Sequence, residues 1–515
     1  MDRIIILDFG GQTTQLIARR IREFGVYSEI ISGTENIENV DKSGLKGIIF
    51  SGSPYSVYDE EAPKPDSSVY TLGVPILGIC YGLQLMTTHF GGTVQNMEHK
   101  EFGRAPVTFE QNLGLFRDVA SGFQSWMSHG DSIETPGKGF TIAARSENHP
   151  AVLVNRELNL YGLQFHPEVT HCDYGSKILE NFVAGICGAE KNWNMDEYIS
   201  QEIDKIRTTV GNRDILVLIS GGVDSTVTGA LLLKALPPER IFLMYIDTGL
   251  MRKNETEEVK EILLTLEAKN IQIVDASSDF LGALKGIEDP EKKRAVIGDL
   301  FIKVQENYLP SQIGNDYFLA QGTLYTDMIE SGKGVGEKAK VIKSHHNVRS
   351  PLVEKKRETG LIIEPLSMLF KDEVRKLGLA LGLKNEFVYR HPFPGPGLGV
   401  RILGEVTEEK CRILKEADAL FINELKNRNL YNKIWQAFCV LLPLKSVGVA
   451  GDDRRYGYIL AMRAINSIDG MTADVYPFKT TDLLEISSVI TNTIPEVGRV
   501  VYDVSSKPPA TIEWE

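Results

Sequence analysis

The sequence predicts an α/β protein: two domains built on parallel sheets, followed by a smaller α+β domain. Three observations lead there. The chain has 515 residues, and at roughly 150 residues per domain that is room for about three. Short apolar runs alternate with helix-like segments through the first two domains, the pattern of strands and crossover helices. A segment at 391–399 holds three prolines and three glycines, which excludes regular helix and central strand and sets the C-terminal part of the chain apart.

In chain order, the first domain covers residues 1–190. Strands are expected at 4–7, 47–50, 74–80, 151–154 and 161–165, with a helix at 13–24. A polar stretch around one tryptophan, 191–196, marks the boundary, and a helix at 197–210 opens the second domain, 191–390. Apolar runs at 214–220, 240–247, 271–275, 316–320 and 361–365, with charged helical stretches between them, read as a second parallel sheet. The Pro/Gly segment is expected to be a hinge or binding loop. Beyond it, a long helix at 407–425 and strands at 456–464 and 499–503 make the α+β domain, 391–515.

Composition narrows the function. Apolar residues are 42% and charged residues 24%, as in ordinary globular proteins, so disorder, collagen and disulfide scaffolds are excluded. Lys and Arg number 56 against 69 Asp and Glu, a formal charge of −13. That charge disfavours nucleic acid and anionic membranes as partners and favours small-molecule chemistry. The five cysteines, Cys80, Cys172, Cys187, Cys411 and Cys439, form no C-x-x-C pair, which argues for a reducing, cytoplasmic setting. No targeting peptide is read at the N-terminus, and no apolar run approaches the roughly 20 residues of a membrane span.

The first chemical motif is Gly78-Ile79-Cys80-Tyr81-Gly82 after an apolar strand. It is a G-x-C-x-G nucleophile elbow, in which the two glycines permit a sharp strand-to-helix turn and the helix amides favour the thiolate. A base is needed. In His166-Pro167-Glu168, residues i and i+2 of an extended segment point the same way, so Glu168 orients the His166 imidazole. The loop Ser51-Gly52-Ser53-Pro54 offers amides that join Tyr81 in an oxyanion hole, its alternative being a plain turn.

With these residues, and with Asp8-Phe9-Gly10-Gly11-Gln12 near the start, the first 190 residues resemble the class I glutamine amidotransferases. The resemblance implies a glutamyl thioester on Cys80 and release of ammonia. It also implies that Gln84 and the backbone around Ser128, His129, Gly130 and Asp131 hold the glutamine.

The second motif is Ser220-Gly221-Gly222-Val223-Asp224-Ser225-Thr226, between a buried-type strand and a helix expected from residue 228. Its glycines curl successive N–H groups toward an anion. It is not a Walker A loop, for no G-x-x-x-x-G-K-[ST] occurs in the chain. Pyrophosphate is the anion expected, with Asp224 holding Mg²⁺ against it. The loop is similar to that of the N-type ATP pyrophosphatases, and that resemblance places Lys371 to neutralise leaving pyrophosphate. The glycine-rich run at 332–336 and the basic run at 355–357 read as a lid or a solvated loop.

An ammonia source followed by an adenylating domain implies amidation of an activated carbonyl. Residues 390–401 and 505–515 resemble the last domain of the glutamine-hydrolysing GMP synthetase family, and in order and content the likeness covers the whole chain. It implies that XMP, ATP, glutamine and water become GMP, AMP, pyrophosphate and glutamate through an adenylyl-XMP intermediate. It further implies XMP contacts at Arg294, Lys507 and Glu513, and a homodimer formed by the third domain. Two other readings are another glutamine-dependent adenylating enzyme such as an NAD synthetase, and a tRNA-modifying enzyme of the pyrophosphatase class. The order of Cys80, His166 and Glu168 speaks against the first, and the acidic charge against the second.

Overall fold

The computed structural model describes residues 1–147, 149–309, 313–314, 316–330, 351–450, 453–467 and 473–515. It divides into two compact units, Met1–Tyr198 with Tyr325–Ser344, and Ile199–Leu324 with His345–Glu515. The run at 332–336 lies outside the described residues. Among the described residues, no helix is long and apolar enough to cross a membrane.

The first unit carries a nine-stranded sheet: β1 (Arg3–Asp8), β2 (Tyr27–Ser32), β3 (Leu45–Phe50), β4 (Ile76–Ile79), β5 (Thr93–Phe109), β6 (Phe123–Thr135), β7 (Thr141–Ser146), β8 (His149–Asn155) and β9 (Leu160–Leu163). The order is β2-β1-β3-β4-β9-β8-β7-β5-β6. From β2 to β9 the pairing is parallel, and from β9 to β6 it is antiparallel. Central strands are apolar on both faces: Ile4, Ile5 and Ile6 are all fully buried, as a helix-covered parallel sheet requires. The helix Thr14–Glu23 turns Ile17, Ala18 and Ile21 inward. The antiparallel arm β5–β6 is absent from the expected strands because its sequence mixes charges, a proline and a glycine with apolar residues, which suits strands exposed on one face.

In the second unit, β10 (Ile215–Ile219), β11 (Ile241–Asp247), β12 (Asn270–Asp275), β13 (Phe318–Ala320) and β14 (Ile362–Ile363) form the expected parallel sheet, in the order β12-β11-β10-β13-β14. A further sheet comes after it, of β15 (Gln436–Ala450), β16 (Asp453–Asn466), β17 (Asp474–Val475) and β18 (Val497–Tyr502). Helices Glu408–Asn427 and Thr480–Thr493 belong to this part. One apolar core runs through both sheets, from Leu216 and Met244 through Leu398 and Ile402 to Phe421, Leu441 and Ile490.

Two loop expectations change. The basic run at 355–357 lies in a helix, Pro351–Glu358, where Lys356 is buried and donates to the Tyr317 carbonyl at 2.6 Å. The Pro/Gly segment is no hinge: Leu398 and Val400 are fully buried, and Arg252 donates to the carbonyls of His391 and Pro392 at 2.9 and 3.0 Å. Gly397, at φ +62°, leaves no room for a Cβ against the Leu250 carbonyl.

His391 locks the start of this segment. Its Nδ1 accepts the Ala437 N–H at 3.1 Å, its Nε2 donates to the Tyr431 carbonyl at 3.0 Å, and its ring stacks on Tyr431 at 3.9 Å. Burial lowers its pKa from 6.5 to about 4. Protonation would set an N–H against the Ala437 N–H. Because the folded-state value lies below the unfolded one, the neutral ring's contribution is complete above the unfolded pKa and is lost as pH falls toward the folded one. Acidification from pH 7 to 4.5 is therefore expected to remove on the order of 2 kcal/mol of stability through this group. Unfolding midpoints across that range should fall less steeply in His391→Asn, and equal slopes would refute the assignment.

Candidate active sites

In the first unit, parallel pairing sets Ile79 of β4 opposite Leu163 of β9, so the chain leaves both strands side by side. Cys80 donates its N–H to the Leu163 carbonyl at 2.7 Å and stands just ahead of the helix Tyr81–His89. Its φ is +49°, a left-handed conformation that costs a non-glycine residue roughly 1–3 kcal/mol. The flanking glycines make the turn possible by close contact. A Cβ on Gly78 would lie 2.5 Å from the Gly82 carbonyl carbon, and one on Gly82 would lie 2.6 Å from the Phe50 oxygen.

The three residues expected to act together do meet. Cys80 Sγ is 3.2 Å from His166 Nε2 and 2.9 Å from the Gln164 carbonyl. His166 Nδ1 is 2.7 Å from Glu168 Oε1. Glu168 is fully buried, and its own carbonyl accepts from Arg20 Nε at 3.2 Å. Burial opposes a charge on His166, but the adjoining Cys80 and Glu168, with their hydrogen bonds, outweigh it and hold the imidazole well above its usual range. The other cysteines offer no comparable setting: burial raises Cys172 to about 12 and Cys411 to about 11, and pushes Cys187 and Cys439 up as well.

Around this chain of contacts, Gly52 lies against His166, where a Cβ would be 3.5 Å from Cε1. Gln84 is buried and donates to the Asp131 carbonyl at 3.1 Å. That bond ties the elbow helix to β6, the strand carrying Ser128, His129 and Gly130. The β6 backbone also reaches His166, since Trp126 accepts the His166 N–H at 3.0 Å.

In the second unit, the helix after β10 begins at Val223, five residues before the expected start, with Gly222 as its cap. Asp224, Ser225 and Thr226 thus form its first turn. The hydroxyls organise the loop: Ser225 Oγ accepts the Ser220 N–H at 3.1 Å and Thr226 Oγ1 donates to the Gly222 carbonyl at 3.0 Å. Gly221 takes φ +76°, and beneath it the Glu255–Arg390 ion pair, at 2.7 Å, is nearly buried. Lys371 Nζ lies 2.7 Å from each Asp224 oxygen. This brings together two residues 147 positions apart.

The C-terminal segment is clasped by buried cations. Arg401, wholly enclosed and stacked 4.0 Å from the Phe438 ring, holds Glu513 with two bonds of 3.0 and 2.8 Å. Gln436 Nε2 donates to the same carboxylate at 2.9 Å. Lys293 is fully buried and reaches Glu515 Oε2 at 2.5 Å, while its neighbour Arg294 bonds the Glu515 carbonyl. Arg463 binds Asp503 at 2.5 Å and the carbonyls of Thr511 and Ile512 at 2.8 Å each. Arg294 and Glu513 are thereby brought to one short segment. Lys507 pairs its backbone with Ala473 instead. Arg401, Arg463, Glu255 and Arg390 escaped the sequence reading, because their partners lie about 40 to 135 positions away and no local motif announces them.

Comparison with known proteins agrees with both units. Residues 5–186 match the family described as glutamine amidotransferase class-I, and residues 423–514 match the GMP synthase C terminal domain. The chain is 49% identical over 515 residues to the glutamine-hydrolyzing GMP synthase of Bacillus cereus (strain G9842), covering 100% of this chain and 99% of the relative. It is 50% identical over 513 residues to that of Aquifex aeolicus (strain VF5), covering 99% of both. Full-length identity at this level, joined to both matched domains, establishes that the chain belongs to the family of glutamine-hydrolysing GMP synthases.

Proposed function

We propose that the protein's glutamine-dependent synthesis of GMP is divided between two centres carried by three segments, 1–190, 191–390 and 391–515. The observation that carries this reading is the continuous contact from Cys80 through His166 to Glu168, at 3.2 and 2.7 Å.

At the first centre, Cys80 Sγ attacks the glutamine amide carbon, and the amides of Gly52 and Tyr81 receive the developing oxyanion. His166 passes a proton to the departing ammonia, and water then hydrolyses the glutamyl thioester to glutamate. Gln84, with the strand backbone at Ser128, His129, Gly130 and Asp131, holds the glutamine.

At the second, the loop from Ser220 to Thr226, led by the N–H groups of Gly221 and Val223 at the helix N-terminus, takes the ATP phosphates. The XMP C2 oxygen attacks the α-phosphorus, the bond to the bridging oxygen breaks, and pyrophosphate leaves toward Lys371. Ammonia then displaces AMP from C2 to give GMP. Asp224 and the loop hydroxyls are hard oxygen donors of the kind Mg²⁺ takes, and the ion, when bound with ATP, offsets phosphate charge. Arg294 and Lys507 suit the XMP phosphate, and Glu513 suits base N–H groups. The Arg401 fork fixes the orientation of that carboxylate.

The reaction belongs in the cytoplasm, a setting supported by five cysteines that are all unpaired. A homodimer is supported by the long β15–β16 hairpin. Val447 and Val449 lie two apart on one strand, Tyr456 pairs across from Val447, and all three are more than half exposed. A second copy of the chain is the partner we assign to this apolar stripe.

Cys80→Ala is expected to abolish glutamine-dependent GMP formation and to retain ammonia-dependent formation; loss of both would sink the division into two centres. Asp224→Ala and Lys371→Ala should each lower XMP-dependent pyrophosphate release by about 100-fold or more while glutamine hydrolysis continues, and unchanged release would refute their roles. Val449→Glu should convert a sedimenting dimer to monomer at micromolar concentration. A wild-type monomer there would remove the dimer from the reading.

A further inference from the structure

Next to the first centre lies a set of contacts that the chemistry of glutamine hydrolysis leaves unused. Ser51 is fully buried at the end of β3. Its Oγ accepts the Phe9 N–H at 3.0 Å and donates to the Gly52 carbonyl at 2.9 Å. Asp8, at the end of β1 and only 6% exposed, accepts the Gly10 N–H at 2.8 Å and the Thr14 hydroxyl at 2.9 Å. Burial raises its carboxyl pKa against those hydrogen bonds, which favour the charged form. Gly10 is at φ +88°, and the turn it makes presses Gly11 onto Gly52: a Cβ on Gly11 would lie 2.5 Å from the Gly52 oxygen and 2.9 Å from its carbonyl carbon.

The Gly52 carbonyl is thus gripped on one side by the Ser51 hydroxyl and on the other by the Gly11 backbone. The N–H that follows this carbonyl is that of Ser53, so the grip fixes the Gly52–Ser53 peptide. On the other side the Ser51 N–H is bonded to the Leu7 carbonyl at 3.0 Å, and the Ser51–Gly52 peptide, which carries the Gly52 N–H, is held between the two. The need is physical. Glycine at position 52 fits beside His166, but it leaves this peptide free to rotate at little cost, and an oxyanion site works only when its donors are aimed beforehand.

We propose that Ser51 and Asp8 are positioning residues for glutamine hydrolysis: together with Gly11 they clamp the peptide of Gly52 and so preset the oxyanion loop against Cys80 and His166. The proposal rests on the reading of Cys80 as nucleophile and of the residue 52 loop as an oxyanion donor.

The test uses the full chain with Ser51→Ala, Gly11→Ala, Asp8→Ala and Asp8→Asn, and follows three rates. These are GMP formation with glutamine, GMP formation with ammonia, and alkylation of Cys80 by iodoacetamide, a displacement that develops no oxyanion. Removing an oxyanion donor outright costs about 100- to 1,000-fold in kcat, so loosening one is expected to cost about 10- to 100-fold. Ser51→Ala, Gly11→Ala and Asp8→Ala should show that loss in glutamine kcat, with glutamine KM, the ammonia rate and the alkylation rate nearly unchanged. Asp8→Asn keeps an acceptor oxygen and should recover most of the loss. Full glutamine kcat in both Ser51→Ala and Gly11→Ala would overturn the proposal, as would an equal fall in the ammonia rate, which marks general misfolding. Glutamine-dependent synthesis surviving in Cys80→Ala would overturn the underlying site reading instead.

Discussion

The parallel pairing of β4 with β9 is the interaction on which the cluster of Cys80, His166 and Glu168 depends. It joins segments more than eighty positions apart and lets Cys80 hydrogen-bond to Leu163. From that single register, the thiol falls beside the Gln164 carbonyl and the His166 ring. A shift of one residue would turn the side chains after β9 to the other face of the sheet. The left-handed conformation of Cys80 persists because strands buried on both faces surround it and two glycines stand where any Cβ would collide with neighbouring backbone atoms. Strain at Cys80 and rigidity in the sheet belong to the same arrangement.

A second constraint comes from charge. The chain is acidic by thirteen charges, yet ATP and XMP are anions, so cations must be gathered locally. Lys371 sits against Asp224 at the glycine-rich loop after β10. Three other cations, Lys293, Arg401 and Arg463, are almost wholly buried, and each is tied to the C-terminal segment. An unpaired ion in such a place would cost several kcal/mol, so these pairs tolerate few alternative arrangements. That is why a proline-rich terminal stretch, of a kind usually frayed, is held in a defined place and able to present Glu513.

The local parts of both centres were legible in the chain. The elbow reads from two glycines around a cysteine after an apolar run, and the His166–Glu168 pair reads from a spacing of two. The turn between strand and helix at 220–222 was legible in its glycines, but the helix starts at Val223 rather than at 228. Ser, Thr and Asp there look like loop residues, yet they form the first helical turn, where the Ser225 and Thr226 hydroxyls donate to the Gly222 carbonyl. The arm β5–β6 stayed hidden because strands exposed on one face carry mixed composition. The basic run at 355–357 was misread because nothing local says that Lys356 finds the Tyr317 carbonyl.

What the sequence determined by itself was therefore the kind of protein: α/β domains, a cysteine elbow, a His-x-Glu pair, and a glycine-rich strand-to-helix loop. Each is written in residues that are neighbours or lie within one turn of each other. Tertiary structure alone decided which distant groups meet. It set Cys80 against His166, Lys371 on Asp224, Arg401 on Glu513, and Ser51 and Gly11 on either side of the Gly52 carbonyl. The reason is that strand register and core packing fix contacts between residues far apart in the chain, whereas periodicity and turn chemistry act only over a few residues.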